Sequence, residues 1–397
     1  MGGEGGKVME RALARRFGAF YFIFFMPVGM QAPYLFLFFE RRGFSDSQLG
    51  TLGAVTPLMT VLTPPLWGAL ADRWGDRRWT LAGLLLAGGL VFPWLMWAES
   101  FAAALALMVA FSCFAFAGAP ITDAIALESI EREGGEYGRL RLWGSLGFAA
   151  PLLLAGLVLE RGAGAGAASL YPMFVGFTVL RLASVGMVWA LPASGGGKVG
   201  RRFDWRAARV FATPRFLALA LCAVLAMGAM ASYYLYFSIY LDQRGIPDHL
   251  KGYFWVIAVG AEVAMMWVVG AVIRRLGVKR TFVLSVLACA VRLLAYSFPL
   301  GPVGIAAAQC LHSLTFTAFM VSGITFVNRL APPELRASGQ SLWAAISHGL
   351  GSAVGAKLAG VAAGALGLPG MFRLFAAVAA GAAVLAIILV RADGEGG

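Results

Sequence analysis

A small set of ionisable side chains lies inside long apolar runs, at Asp123, Arg139, Arg141, Glu262, Arg292, His312 and His348. Each costs roughly 2.5–3.5 kcal/mol to place in a bilayer-spanning helix, so each is expected to face a polar interior with a partner or a task. The chemistry open to such groups is ion pairing, recognition of charged cargo and proton uptake. The sequence has no phosphate-binding glycine loop, no zinc-ligand spacing and no nucleophile with its base. No catalytic residue, metal or cofactor is therefore expected.

Depth along the runs groups these residues. Asp123 and Arg141 flank a turn near 131–135. Each lies about 9–12 Å from it at ~1.5 Å rise per residue. An ion pair between them fits that geometry, as a substrate-binding or gating pair or as a clamp at the helix ends. Arg139 stands closer to the surface. Glu262, Arg292 and His348 lie about 15–17 Å from the ends of their runs, near the bilayer midplane. A Glu262–Arg292 pair would switch with proton and substrate occupancy, or would simply join two helices, the further alternative being two unconnected residues. Gln309, His312 and Thr315 share one helical face. Gln31, Tyr233 and Tyr236 are candidates to line a cavity, the bland alternative being anchoring at the membrane interface.

The elements that must position these groups follow from composition. The chain of 397 residues is 60% hydrophobic and 13% charged, with mean hydropathy +0.78. That exceeds what a water-soluble domain uses and predicts an all-α membrane protein. Twelve spans of about 20 apolar residues are legible. They cover 17–39, 47–71, 79–98, 101–127, 139–159, 169–191, 214–240, 250–273, 281–299, 302–328, 338–362 and 369–390. The runs are too long and continuous for barrel strands. The net charge of +12 sits in short loops between spans, which argues for a lipid partner and against nucleic acid. Most Lys and Arg fall on the side that holds both termini, which is therefore expected to be cytoplasmic, in the inner membrane.

A polar hairpin joins the second and third spans: Gly68-Ala69-Leu70-Ala71-Asp72-Arg73-Trp74-Gly75-Asp76-Arg77-Arg78. A weaker copy, Gly270 to Arg280, follows at an offset of 202. At the same offset Arg42-Gly43 matches Arg244-Gly245, and Asp46 matches Asp248. Gln31 likewise maps onto Tyr233 and Tyr34 onto Tyr236. The repeat predicts two six-helix bundles of the same ancestry, 1–191 and 214–397, joined by a basic linker at 192–213. Such duplicated units are expected to enclose a central cavity.

The hairpin, the span count and the repeat together identify a resemblance to the major facilitator superfamily. The hairpin matches its loop 2–3 motif, which implies a gating role for Gly68, Asp72, Arg73, Gly75, Arg77 and Arg78. A narrower resemblance lies in Glu136-Tyr137-Gly138-Arg139-Leu140-Arg141-Leu142-Trp143-Gly144. It is similar to the start of the fifth helix in the lactose and phenylpropionate permease group of proton symporters. That likeness implies substrate or coupling roles for Asp123, Arg141, Arg292 and His312, and sets His348 where the group has a lysine. The group's proton-transfer glutamate corresponds to Thr315 here, and its tenth-helix lysine to Gln309.

The expected function is secondary active transport by alternating access. The favoured form is proton-coupled symport of a small organic solute, with an aromatic or other carboxylate suggested by the excess of arginines. Proton-driven efflux of an amphiphilic compound, or a non-transporting receptor or scaffold, remains open at this point. A monomer is expected.

Overall fold

The computed structural model describes residues 3–159, 166–194 and 211–390, and side chains within 11–154, 166–194 and 211–390. Most of the expected linker lies outside the described residues. Every described element is helical. In order they are α1 (Gly3–Gln31), α2 (Leu35–Arg41), α3 (Asp46–Trp74), α4 (Arg77–Val91), α5 (Phe101–Ala115), α6 (Gly118–Glu133), α7 (Tyr137–Leu159) and α8 (Tyr171–Val188). Then come α9 (Pro214–Gln243), α10 (Asp248–Leu276), α11 (Val278–Tyr296), α12 (Pro302–Cys310), α13 (Phe319–Leu330), α14 (Arg336–Ala344) and α15 (Ser352–Leu389).

Each expected span is occupied by helix, although several are broken. The first is α1 plus α2, interrupted around Pro33. The fourth is α5 plus α6, with a bend at Phe116-Ala117. The tenth and eleventh contain π-helical turns at Ser313–Ala318 and Ala345–Gly351. The last two spans run through α15, which kinks where Gly367 takes φ 65° just before Pro369. Among the described residues, nine helical stretches are long and apolar enough to cross a membrane, and Pro333–Leu389 holds two of the expected spans. The expected fifth and ninth spans, α7 and α11, are helical but fall outside those nine.

Helix ends follow their local chemistry. Ser100 accepts a hydrogen bond from the Ala103 amide, and Thr213 from the Phe216 amide ahead of Pro214. The repeat is visible in the backbone. α3 and α10 are each 29 residues long and begin and end 202 positions apart. The turn glycines repeat with them: Gly43 and Gly245 take φ 82° and 72°, and Gly75 and Gly277 take φ 78° and 81°. Only glycine enters that region without strain, so both hairpins reverse by the same device.

The chain forms two compact units: Met1–Arg42 with Met59–Arg201, and Gly43–Leu58 with Arg202–Gly397. The first half of α3 therefore packs with the C-terminal elements, a departure from a division at residue 191 alone. In the N-terminal unit the core gathers Phe17, Phe20, Phe24, Leu81, Leu85 and Ile125. In the C-terminal unit it gathers Phe216, Phe282, Val286, Phe319, Phe326 and Trp343. Large apolar side chains outside both cores, such as Trp267 at 82% and Val303 at 83% exposure, suit hydrocarbon surroundings.

Candidate functional site: a buried polar cluster in the C-terminal unit

α11 carries Arg292 toward its C-terminal end, fully buried. α12 ends at Cys310, and His312 caps the π-helical turn that follows. His312 and Thr315, three residues apart, both reach Arg292. Arg292 Nη1 lies 2.7 Å from His312 Nδ1 and donates to Thr315 Oγ1 at 3.3 Å. Its Nη2 donates to Gln309 Oε1. That oxygen also accepts from Tyr233 Oη at 3.1 Å and Tyr296 Oη at 3.2 Å. The guanidinium sits 3.8 Å from the Tyr233 ring centroid.

The other face of His312 meets α10. His312 Nε2 lies 2.6 Å from Glu262 Oε1. A guanidinium has no acceptor, so Nδ1 must offer Arg292 a lone pair. The ring proton of neutral His312 is then on Nε2, donated to Glu262. Glu262 is 18% exposed and His312 6%, so the carboxylate is the least buried member of this line. Two polar groups nearby stay unpartnered: Gln309 Nε2 and Arg292 Nε are buried without a hydrogen bond.

His348 belongs to the second π turn. Its Nδ1 lies 2.9 Å from Ser347 Oγ, its Nε2 has no partner, and it meets His312 only through Phe316, which contacts both rings. The expected direct Glu262–Arg292 pair is replaced by a three-membered line with His312 in the middle. Tyr296, absent from the sequence-based candidates, stands four residues from Arg292 on the same helical face, a spacing that would have pointed to it. Tyr236 instead donates to the Asp46 carbonyl at 3.2 Å, which fixes the start of α3.

In the N-terminal unit the expected Asp123–Arg141 ion pair is not formed. Asp123 accepts a hydrogen bond from Tyr21 Oη at 2.6 Å, while Arg141 lies 4.2 Å from the Phe25 ring centroid. The phenol and the ring face satisfy the two groups separately. Arg139 is 82% exposed and pairs with Glu136 at 2.7 Å on the surface, so it lines no buried site here. Gln31 ends α1 with its side chain half-buried.

The hairpin motif is built around Arg77, which is 2% exposed. It donates to Glu128 Oε2 and Ser194 Oγ at 2.8 Å each, and to Asp72 at 3.2 Å. Asp76 caps α4 through the Arg78 amide and also binds the Arg78 side chain. Arg78 in turn donates to the Leu191 carbonyl at 3.1 Å. Burial by itself would push the Asp76 carboxyl up, but these bonds from Arg78 outweigh it and hold the group below its ordinary range. Gly75 supplies the reversal, while Gly68 has open space around it and Arg73 is exposed. Glu128 and Ser194 complete the knot, and no spacing in the sequence announced Ser194. Among the described residues no cluster of His, Cys, Asp or Glu could hold a metal ion.

Residues 15–374 match the profile of the MFS_1 like family. The chain belongs to that family. This major facilitator is 26% identical over 344 residues to a maltose permease of Geobacillus stearothermophilus, covering 86% of each chain. It is also 26% identical over 375 residues to a probable 3-phenylpropionic acid transporter of Escherichia coli, covering 90% of this chain and 93% of that one. In fold it is similar to the crystal structure of the nucleoside transporter NupG, with a TM-score of 0.83 at 18% identity, covering 96% of this chain and all of the other. It is an all-helical, multi-pass membrane transporter of a small-molecule substrate and not an enzyme.

Proposed function

We propose that this major facilitator imports a small organic solute bearing a carboxylate together with a proton, by alternating access in the inner membrane. The observation that carries the reading is the buried line Glu262–His312–Arg292, in which one arginine occupies the lone pair of a titratable ring. An arriving carboxylate competes for the Arg292 fork, which matches its geometry. Arg292 then leaves His312 Nδ1. The freed lone pair takes one proton from solvent, and the resulting imidazolium is stabilised by Glu262. Anion and proton are thereby bound together or not at all, and their combined affinity biases one transport state over the other. The aromatic lining from Tyr233, Tyr234 and Phe316 around His312 favours an aromatic acid.

The test is uptake into proteoliposomes of 3-phenylpropionate, maltose and a nucleoside, with and without an imposed gradient that is alkaline inside. The aromatic acid should accumulate only with the gradient. Uptake of maltose or the nucleoside alone, or acid uptake indifferent to the gradient, defeats the proposal.

A further inference from the structure

The N-terminal unit holds a second buried cation, which the cluster around His312 does not involve. Arg181, midway along α8, is 2% exposed. Its Nε and Nη1 are sealed from solvent without a hydrogen-bond partner. Among the described residues no carboxylate lies within 4.0 Å of it. Four acids of the same unit that stand in or beside the spans are engaged elsewhere. Asp123 is held by Tyr21, Glu128 by Arg77, Asp72 by Arg77 and Asp76 by Arg78. The Arg181 guanidinium lies against ring faces, with the Phe24 and Phe177 centroids 5.3 Å away each. Gly89 passes beside the stem of the side chain, where an added Cβ would crowd it.

This arrangement leaves a charge uncompensated. Two ring faces offset only part of what a guanidinium loses when it leaves water. Arginine does not escape by losing its proton. A spanning segment also offers little water to make up the difference. A well-packed core with no polar requirement would carry a neutral side chain at this position, since replacing an unpaired buried charge by an apolar group costs nothing in satisfied bonds. Among the described residues nothing supplies that partner, which points to an anion from outside the polypeptide. With Nε and Nη1 sealed, it approaches Nη2. The flanking phenylalanines present no donor for a second charge.

We infer that Arg181 is the binding site for one small monovalent anion, a halide or a carboxylate, inside the N-terminal unit. The site is independent of the proton-coupled cluster, and its test reads binding rather than transport.

The apparent Tm of the purified full-length protein in detergent is measured at fixed pH and ionic strength. The bulky buffer sulfonate MES is exchanged stepwise for chloride, acetate or benzoate. In the wild type at least one of the three should raise Tm along a saturating curve. A response to chloride alone assigns a halide, and a response to acetate or benzoate that shrinks with loss of Arg181 assigns a carboxylate. In Arg181→Gln a chloride response should disappear, and a carboxylate response should shrink to the part that the separate Arg292 cluster supplies. Arg181→Met serves the same purpose if the glutamine variant does not fold, because it removes the charge and keeps the apolar contacts. A wild type indifferent to all three anions overturns the inference without any variant. So does a saturating response of equal size in the wild type and in either Arg181 variant.

Discussion

His312 sits between an acid and a base, with Nε2 2.6 Å from Glu262 and Nδ1 2.7 Å from Arg292. Because arginine only donates, the ring nitrogens are forced into different roles. The first prediction tests the acidic side. Glu262→Gln keeps an acceptor for the Nε2 proton but removes the charge that stabilises an imidazolium. Accumulation driven by a pH gradient should fall at least about 10-fold, the equivalent of one pKa unit of lost stabilisation. Exchange of labelled for unlabelled solute should persist, because it needs no net proton movement. Equal loss of both activities would reject the assigned role.

The basic side makes a different prediction. Arg292→Lys retains a charge but not the planar fork that spans His312, Gln309 and Thr315. Hydrogen bonds to charged groups are worth about 1.5–3 kcal/mol each. Affinity for a carboxylate solute should therefore drop about 10- to 100-fold. Binding measured calorimetrically in detergent checks this, and an unchanged affinity would remove Arg292 from the substrate site.

Arg77 ties Asp72, Glu128 and Ser194 into one knot while almost fully buried. Removing one member of a buried pair typically costs about 3–5 kcal/mol. Arg77→Met should lower the apparent Tm by several degrees, with part of the loss recovered by adding Glu128→Gln. A double variant no better than the single one would show that the pair contributes little.

Asp76 predicts an acid-sensitive hairpin. Its folded-state carboxyl is held below the ordinary value of about 3.9, chiefly by Arg78 once burial is overcome. A group lowered in the folded state stabilises above its unfolded value, and that contribution is lost as pH falls through the lowered one. The slope of apparent Tm against pH below about pH 4 should therefore flatten in Asp76→Asn. An identical slope in the two proteins would dismiss the contribution.

Gly147 marks a close approach of α7 to α1. A Cβ there would overlap the Phe22 carbonyl, which is backbone and cannot turn away. Gly147→Ala should force the helices apart and lower the apparent Tm by more than Gly138→Ala, whose site is open. Equal effects would place the two helices further apart than described.

Much of this was legible in residue order. The continuous apolar runs set the helices, because a bilayer leaves the backbone no partner but itself. The offset of 202 set the repeat, and the glycines that close its two hairpins share one backbone conformation. Glu262, Arg292, Gln309 and His312 were marked as candidates because ionisable or strongly polar groups are costly at the midplane. Sequence spacing alone misjudged their connections. It paired Glu262 with Arg292, and Asp123 with Arg141, because depth is readable from position whereas the direction of a side chain around its helix axis is not.

What the sequence by itself determined, then, was which helical runs exist and which ionisable groups they carry, with Arg139 found on the surface instead of buried. What only tertiary packing decided was who touches whom. His312 fills the gap between Glu262 of α10 and Arg292 of α11, and Tyr21 takes the oxygen expected to serve Arg141. Helix rotation is set by contacts summed over whole faces, so no local spacing encodes it, and the partners of a buried charge emerge only when the helices have packed.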